Sequence, residues 1–211
     1  MEKANFTTFK SQYCEFGGFG GYQIVGYKNL NLLKNEIETC SLRRTKEMLG
    51  VPPKNYIDEH IELSKEHATF YDNVRQGIKE ECNKIELNVE NTLALFTRLR
   101  QAAVCPSILT TEPIISTKLE RCRELVDDII SQGEKVVIMS LFKEPIRHLE
   151  IMLRQYHPLV GSGDIDVETM SKNIDLFQND SKYKVFIGTH SKAGTGITLN
   201  AARYLIMLDL P

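Results

Sequence analysis

No segment of this 211-residue chain stays apolar for the ~18 residues that a membrane-crossing helix needs. The opening MEKANFTTFK also lacks the apolar core of a secretion signal. A membrane partner is excluded on these grounds, and a cytoplasmic protein is expected. Charge of one sign is equally scarce: Lys+Arg is 26 against Asp+Glu 28, a net of -2. Up to Thr110 the chain holds 14 basic and 14 acidic residues, and beyond it 12 and 14. Neither part has the basic excess of a stand-alone nucleic-acid binder, so any DNA contact must come from a local groove or from another part of a larger protein. Five cysteines (Cys14, Cys40, Cys82, Cys105, Cys122) form no C-x-x-C pair. Their odd number argues against zinc and against a disulfide framework, and fits a reduced compartment. His60 and His67 are too far apart for an i,i+4 ligand pair, so no metal site is expected.

What is present can build a core: 42% of residues are hydrophobic and 26% charged, which argues against global disorder. The glycine- and aromatic-rich FGGFGGYQIVGY at 16–27 suits an irregular or hairpin-like connector. No Gly-Lys-Ser/Thr follows it, so it is not a Walker loop. From Asn29, Leu30, Leu33, Ile37 and Cys40 share a helical face, with Gly50 and Pro52-Pro53 as stops. Alternation in NYIDEHIEL, residues 55–63, predicts a strand. Ser64 is placed to cap a helix over 65–84, and a second helix over 89–104 ends at Pro106.

After Thr110 the character changes. Ser116 caps a helix that Gly133 ends; KVVIMS reads as a strand buried on both faces; a helix from Pro145 to Arg154 follows. HPLVGS, KYKVFIGT and RYLIMLDL read as further strands, with a helix in DVETMSKNIDLFQND. This alternation predicts an α/β fold: a parallel sheet with helices on both faces, preceded by a helical insertion and an irregular connector. Function is then expected on the loops after the strand C-termini, at 140–144, 161–166, 189–198 and beyond Asp209. A buried-type strand ending at Pro211 suggests a fragment whose sheet has an exposed edge open to self-association.

The segment KVFIGTHSKAGTGITLNAARYLIMLDLP, residues 184–211, is the strongest signal. Thr189 and Ser191 at a strand end can offer hydroxyls to phosphate, and Gly194 and Gly196 permit close backbone approach. It resembles motif V of superfamily-two helicases, and more narrowly of the Swi/Snf-type DNA-dependent ATPases. Five further segments resemble that family in order. KNLNLLKNEIETCSLRRTKEMLGVPPK is similar to the passage out of the first RecA-like lobe. LFTRLRQAAVCPSIL is similar to a Leu-Arg…Pro segment, with Cys105 where histidine is common. STKLERCRELVDDI resembles the opening of the second lobe, KVVIMSLFKEPIRHLE resembles motif IV, and FQND resembles the approach to motif V.

The resemblance implies a second RecA-like lobe, truncated before motif VI. Residues 1–54 would be the connector out of a missing first lobe, 55–112 a strand plus helical insertion, and 113–211 the incomplete second lobe. Ser140, Thr189, Ser191 and the loop residue Lys192 would face the phosphates of duplex DNA without reading sequence. Gly194, Gly196 and Thr198 would lie toward the nucleotide between the lobes. His190 is a further loop candidate. The full-length protein would use ATP and Mg²⁺ as a DNA-stimulated, translocating ATPase that remodels DNA–protein complexes. This fragment is expected to hold no cofactor and to be inactive alone, since it has neither a G-x-x-x-x-G-K-[ST] loop nor an Asp-Glu-Ala-His box, nor the arginines of motif VI. Thr198 stands where asparagine is usual and Met170 where arginine is frequent. The absence of basic tails favours a bacterial or phage source over a nuclear one. Two alternatives stand beside this reading: a non-enzymatic α/β interaction module derived from a helicase lobe, and a small phosphoryl-binding enzyme using the 189–196 loop.

Overall fold

A computed structural model of the chain describes residues 5–44, 48, 50, 53–82, 89–194 and 196–210. It divides into two compact units, Met1–Asp58 and Glu59–Pro211.

In the first unit, helix α1 (Phe6–Tyr13) is capped by Asn5, whose side chain accepts from the Thr7 N–H at 3.2 Å. It leads into an antiparallel hairpin of β1 (Cys14–Gly17) and β2 (Gln23–Tyr27), then helix α2 (Leu30–Cys40). The glycine-rich connector is thus a hairpin, with Gly18, Gly20 and Gly21 supplying the positive φ its turn requires. Little apolar surface is covered here. Phe19, Tyr22, Val25, Tyr27, Leu30 and Ile37 are all exposed, although Val25 and Tyr27 lie in β2 and Leu30 and Ile37 in α2.

The chain from the end of the first unit into the start of the second is irregular. Residues 53–64 form no strand, contrary to the alternation of 55–63. Ile61 and Leu63 are half-buried while Tyr56 and Ile57 are exposed, so this segment has neither a pairing partner nor a continuous buried face to hold it as a strand. Helices α3 (Lys65–Cys82) and α4 (Val89–Val104) follow, as the two expected helices; residues 83–88, including the expected end of α3, lie outside the described residues. His67, wholly buried, ties α3 to its neighbours. Its Nε2–H donates to the Ala102 carbonyl at 2.8 Å, which leaves Nδ1 to accept from the Thr117 N–H at 3.3 Å.

Helix α5 (Thr117–Ser131) is capped by Ser116, whose Oγ accepts from the Leu119 N–H and donates to the Val104 carbonyl at 2.6 Å. Then come β3 (Val136–Ser140), α6 (Lys143–Met152), β4 (Leu159–Gly161), α7 (Val167–Asn179), β5 (Val185–Thr189), the short α8 (His190–Ala193) and β6 (Tyr204–Met207). The four strands form one parallel sheet in the order β4-β5-β3-β6.

Strand alternation builds two cores. Val136, Ile138, Val185 and Ile187 face α5 and α6, meeting Cys122, Val126, Ile146, Leu149 and Leu153. Val137, Met139 and Phe186 face the other way, toward Phe177 of α7 and Ala193 of α8. Phe177 and Phe186 pack edge to face with centroids 5.5 Å apart. Burial on both faces explains why β3 and β5 are unbroken apolar runs. Strand β6 is an edge, with Tyr204, Leu205 and Met207 exposed. Among the described residues, no helix is long and apolar enough to cross a membrane.

Candidate functional site

In a parallel sheet every strand ends on the same edge, so the loops after β3, β4, β5 and β6 converge there. Asp209 sits two residues past β6 and is buried. One of its carboxylate oxygens accepts from the Ser140 hydroxyl at 2.7 Å, and the other from the Leu141 N–H at 2.7 Å. The second oxygen also lies 3.9 Å from His190 Nε2, and that nitrogen is 3.3 Å from the Asp209 backbone carbonyl. A single carboxylate therefore ties together the ends of β3, β5 and β6. Lys118, in the first turn of α5, donates to the Leu208 carbonyl at 3.4 Å. Burial lowers its pKa, and the nearby Asp209 charge opposes that shift.

This arrangement shows where the expected site residues lie. Ser140 is fully buried, and its hydroxyl donates inward to Asp209 while accepting from the Phe142 N–H at 3.2 Å. A hydroxyl in that position is turned inward and fixes the loop that follows β3. Thr189 is likewise nearly inaccessible, 3% exposed, with Oγ1 3.3 Å from Ser191 Oγ. Ser191 and Lys192 are exposed on α8, a helical turn where the residue pattern suggested only a loop.

Gly194, Gly196 and Thr198 are also exposed. A Cβ on Gly194 would lie 2.3 Å from the His190 carbonyl oxygen, so only glycine closes α8 this tightly. Gly196, at φ +78°, turns the chain in the left-handed region. On either side of Thr198, Ile197 and Leu199 pack into the α7-side core, which leaves the threonine facing outward. The stretch is pinned to α7 where Gln178 Oε1 accepts from the Ala201 N–H at 2.9 Å.

A second, exposed cluster flanks α8. Lys143, at the start of α6, forms an ion pair with Asp164 in the β4–α7 loop. Arg147, one turn on, lies 3.4 Å from the other Asp164 oxygen and 3.3 Å from Glu144. The Asp164 carboxyl is held below its usual range, first by the Lys143 hydrogen bond and then by both neighbouring cations. Asp166, two residues on, caps α7, accepting from the Thr169 N–H at 2.9 Å. Away from this edge, buried Cys105 has its thiol pKa raised by burial. Its sulfur meets Ser107 Oγ at 3.1 Å, which in turn is 2.9 Å from His148 Nε2. Among the described residues, no group of His, Cys, Asp or Glu is arranged to hold a metal ion.

The fold and this strand-end edge define a RecA-like α/β lobe. Residues 117–211 match the helicase conserved C-terminal domain. An ATP-dependent helicase of Mycoplasma pneumoniae is 25% identical over 190 residues, covering 87% of this chain and 18% of that protein. ATP-dependent helicase fft3 of Schizosaccharomyces pombe is 24% identical, covering 94% of this chain and 24% of that protein. The Sulfolobus solfataricus SWI2/SNF2 ATPase core in complex with dsDNA has the same fold, with a TM-score of 0.65, 22% identity, and coverage of 97% of this chain and 45% of that one. Residues 117–211 thus match a helicase C-terminal domain within a chain that is similar to Snf2-type ATPases, and the chain spans less than a quarter of the length of these curated relatives.

Proposed function

We propose that this lobe is the DNA-gripping and nucleotide-coupling half of a motor that moves along duplex DNA and remodels DNA–protein complexes, with a missing first lobe supplied in cis. In this reading Ser191 and Lys192, with Thr189 behind them, meet backbone phosphates, and Ser140 acts by shaping the loop beside them. Gly194, Gly196 and Thr198 face the nucleotide, where backbone and hydroxyl groups suit phosphate oxygens. ATP supplies hydrolytic free energy to the full-length protein, and Mg²⁺ neutralises its phosphates. A first lobe would hold most of that site, since this chain has no phosphate-binding loop of its own.

The observation that carries the reading is the set of exposed polar and cationic residues on the strand-end edge: Ser191 and Lys192 on α8, flanked by Lys143 and Arg147 on α6. Supporting the missing partner, residues 5–44 leave much apolar surface uncovered. We assign 1–54 to the connector, 55–112 to the insertion and 113–211 to the lobe. A cytoplasmic location accords with five free cysteines.

Anisotropy of a labelled duplex of mixed sequence tests the proposal. Binding by the chain is expected to be weak and independent of sequence. It should weaken steeply between about 50 and 200 mM salt. Lys192→Ala should reduce the slope of log K against log salt by about 0.9. Salt-independent retention, or no binding at the lowest salt, would overturn it.

A further inference from the structure

The Lys143–Asp164–Arg147 cluster joins groups from two separate elements, and Lys192 approaches from a third. A Cβ built on Gly163 would lie 3.7 Å from Lys143 Nζ and 3.8 Å from Lys192 Cε, in ordinary contact with both. Three cations, from the start of α6, its next turn and α8, therefore surround the Gly163–Asp164 tip of the β4–α7 loop. Their anionic partner at that tip is Asp164, about half exposed, which engages Lys143 through one oxygen and Arg147 through the other. Two acceptor oxygens between converging cations reproduce what a backbone phosphate presents. Glu144 is the other nearby carboxylate, and it reaches Arg147 from within the same helix.

We propose that Asp164 is a built-in phosphate mimic: it occupies the place of a nucleic-acid phosphate, neutralises Lys143 and Arg147 when the lobe is free, and is displaced when duplex DNA docks. The inference rests on the phosphate-gripping reading above and adds a regulation of that surface. The displacement is cheap, because exposed ion pairs are weakly held and screened by salt. Its consequence is a muted response to salt. DNA releases condensed cations when Lys143 and Arg147 engage it, while the freed carboxylate takes one up from solution, cancelling part of that release.

Duplex-DNA anisotropy across a salt series, comparing the chain with Asp164→Asn, tests this. The variant should bind about 3- to 10-fold tighter at low salt, with a salt slope steeper by about one. Both gains should vanish in a Lys143→Gln/Arg147→Gln background, and thermal melts should show that each variant folds. Equal or weaker binding by folded Asp164→Asn, or a gain that survives the double substitution, overturns the mimic while leaving the DNA reading intact. If neither the chain nor the variant binds DNA at low salt, the DNA reading itself falls and the mimic falls with it.

Discussion

Two aspartates at the strand-end edge of the same sheet have opposite surroundings. Asp209 has a side chain only 3% exposed and satisfies a buried hydroxyl and a backbone N–H with short bonds. Asp164 has a side chain 46% exposed and meets two flexible cations in open solvent. Hydrogen bonds to a buried charge are strong because losing them leaves polar groups without water, whereas an exposed pair trades its partner for solvent at little cost. The first aspartate fixes where the strand ends lie. The second adjusts the charge those ends present.

The contrast is broken most directly at Asp209. Asp209→Ala leaves the Ser140 hydroxyl and the Leu141 N–H facing a void and should cost about 3 kcal/mol of stability, read from the urea midpoint at unchanged m. A loss below about 1 kcal/mol would show that the strand ends hold without it. Ser140→Ala should cost less, about 1–2 kcal/mol, because Asp209 keeps its bond to Leu141 while the Phe142 N–H loses its acceptor. Equal losses from the two substitutions would mean that the serine, not the carboxylate, organises the edge.

The sequence exposes elements that rest on local chemistry. The Ser116 cap, the breaks at Pro106 and Gly133 and the twice-buried runs of β3 and β5 all follow from neighbours a few residues away. The glycine-lined turn after β5 was legible for the same reason. What was not legible depends on distance along the chain. Asp209 meets Ser140 across 69 positions, and Lys143 meets Asp164 across 21. No local pattern marks either pairing, although an acidic residue just past a strand of a parallel sheet is a usable hint. The same limit explains Ser140, whose position at a strand end is readable while its inward orientation depends on a partner just past β6. It also explains 55–63, where alternation of side chains was present and a pairing strand was not.

Asp164 yields the smallest stability effect and the sharpest test of the contrast. Its folded carboxyl has a pKa below the ordinary value, so the ion pairs stabilise the fold above the ordinary carboxylate range, about pH 4, and that contribution fades as pH falls through the lower folded value. Asp164→Asn should therefore lower Tm by no more than about 2 °C at pH 7, and the gap should close once pH has fallen through the lowered folded value, where the native carboxyl is protonated as well. Asp209→Ala, by comparison, should stay well below the native protein across that range, because its loss comes from unpaired buried groups as well as from charge. A large, pH-independent drop in Tm for Asp164→Asn would make Asp164 a structural strut like Asp209. The loop tip would then be held by fold-critical contacts, and no carboxylate bound that firmly could give way to a phosphate at low cost.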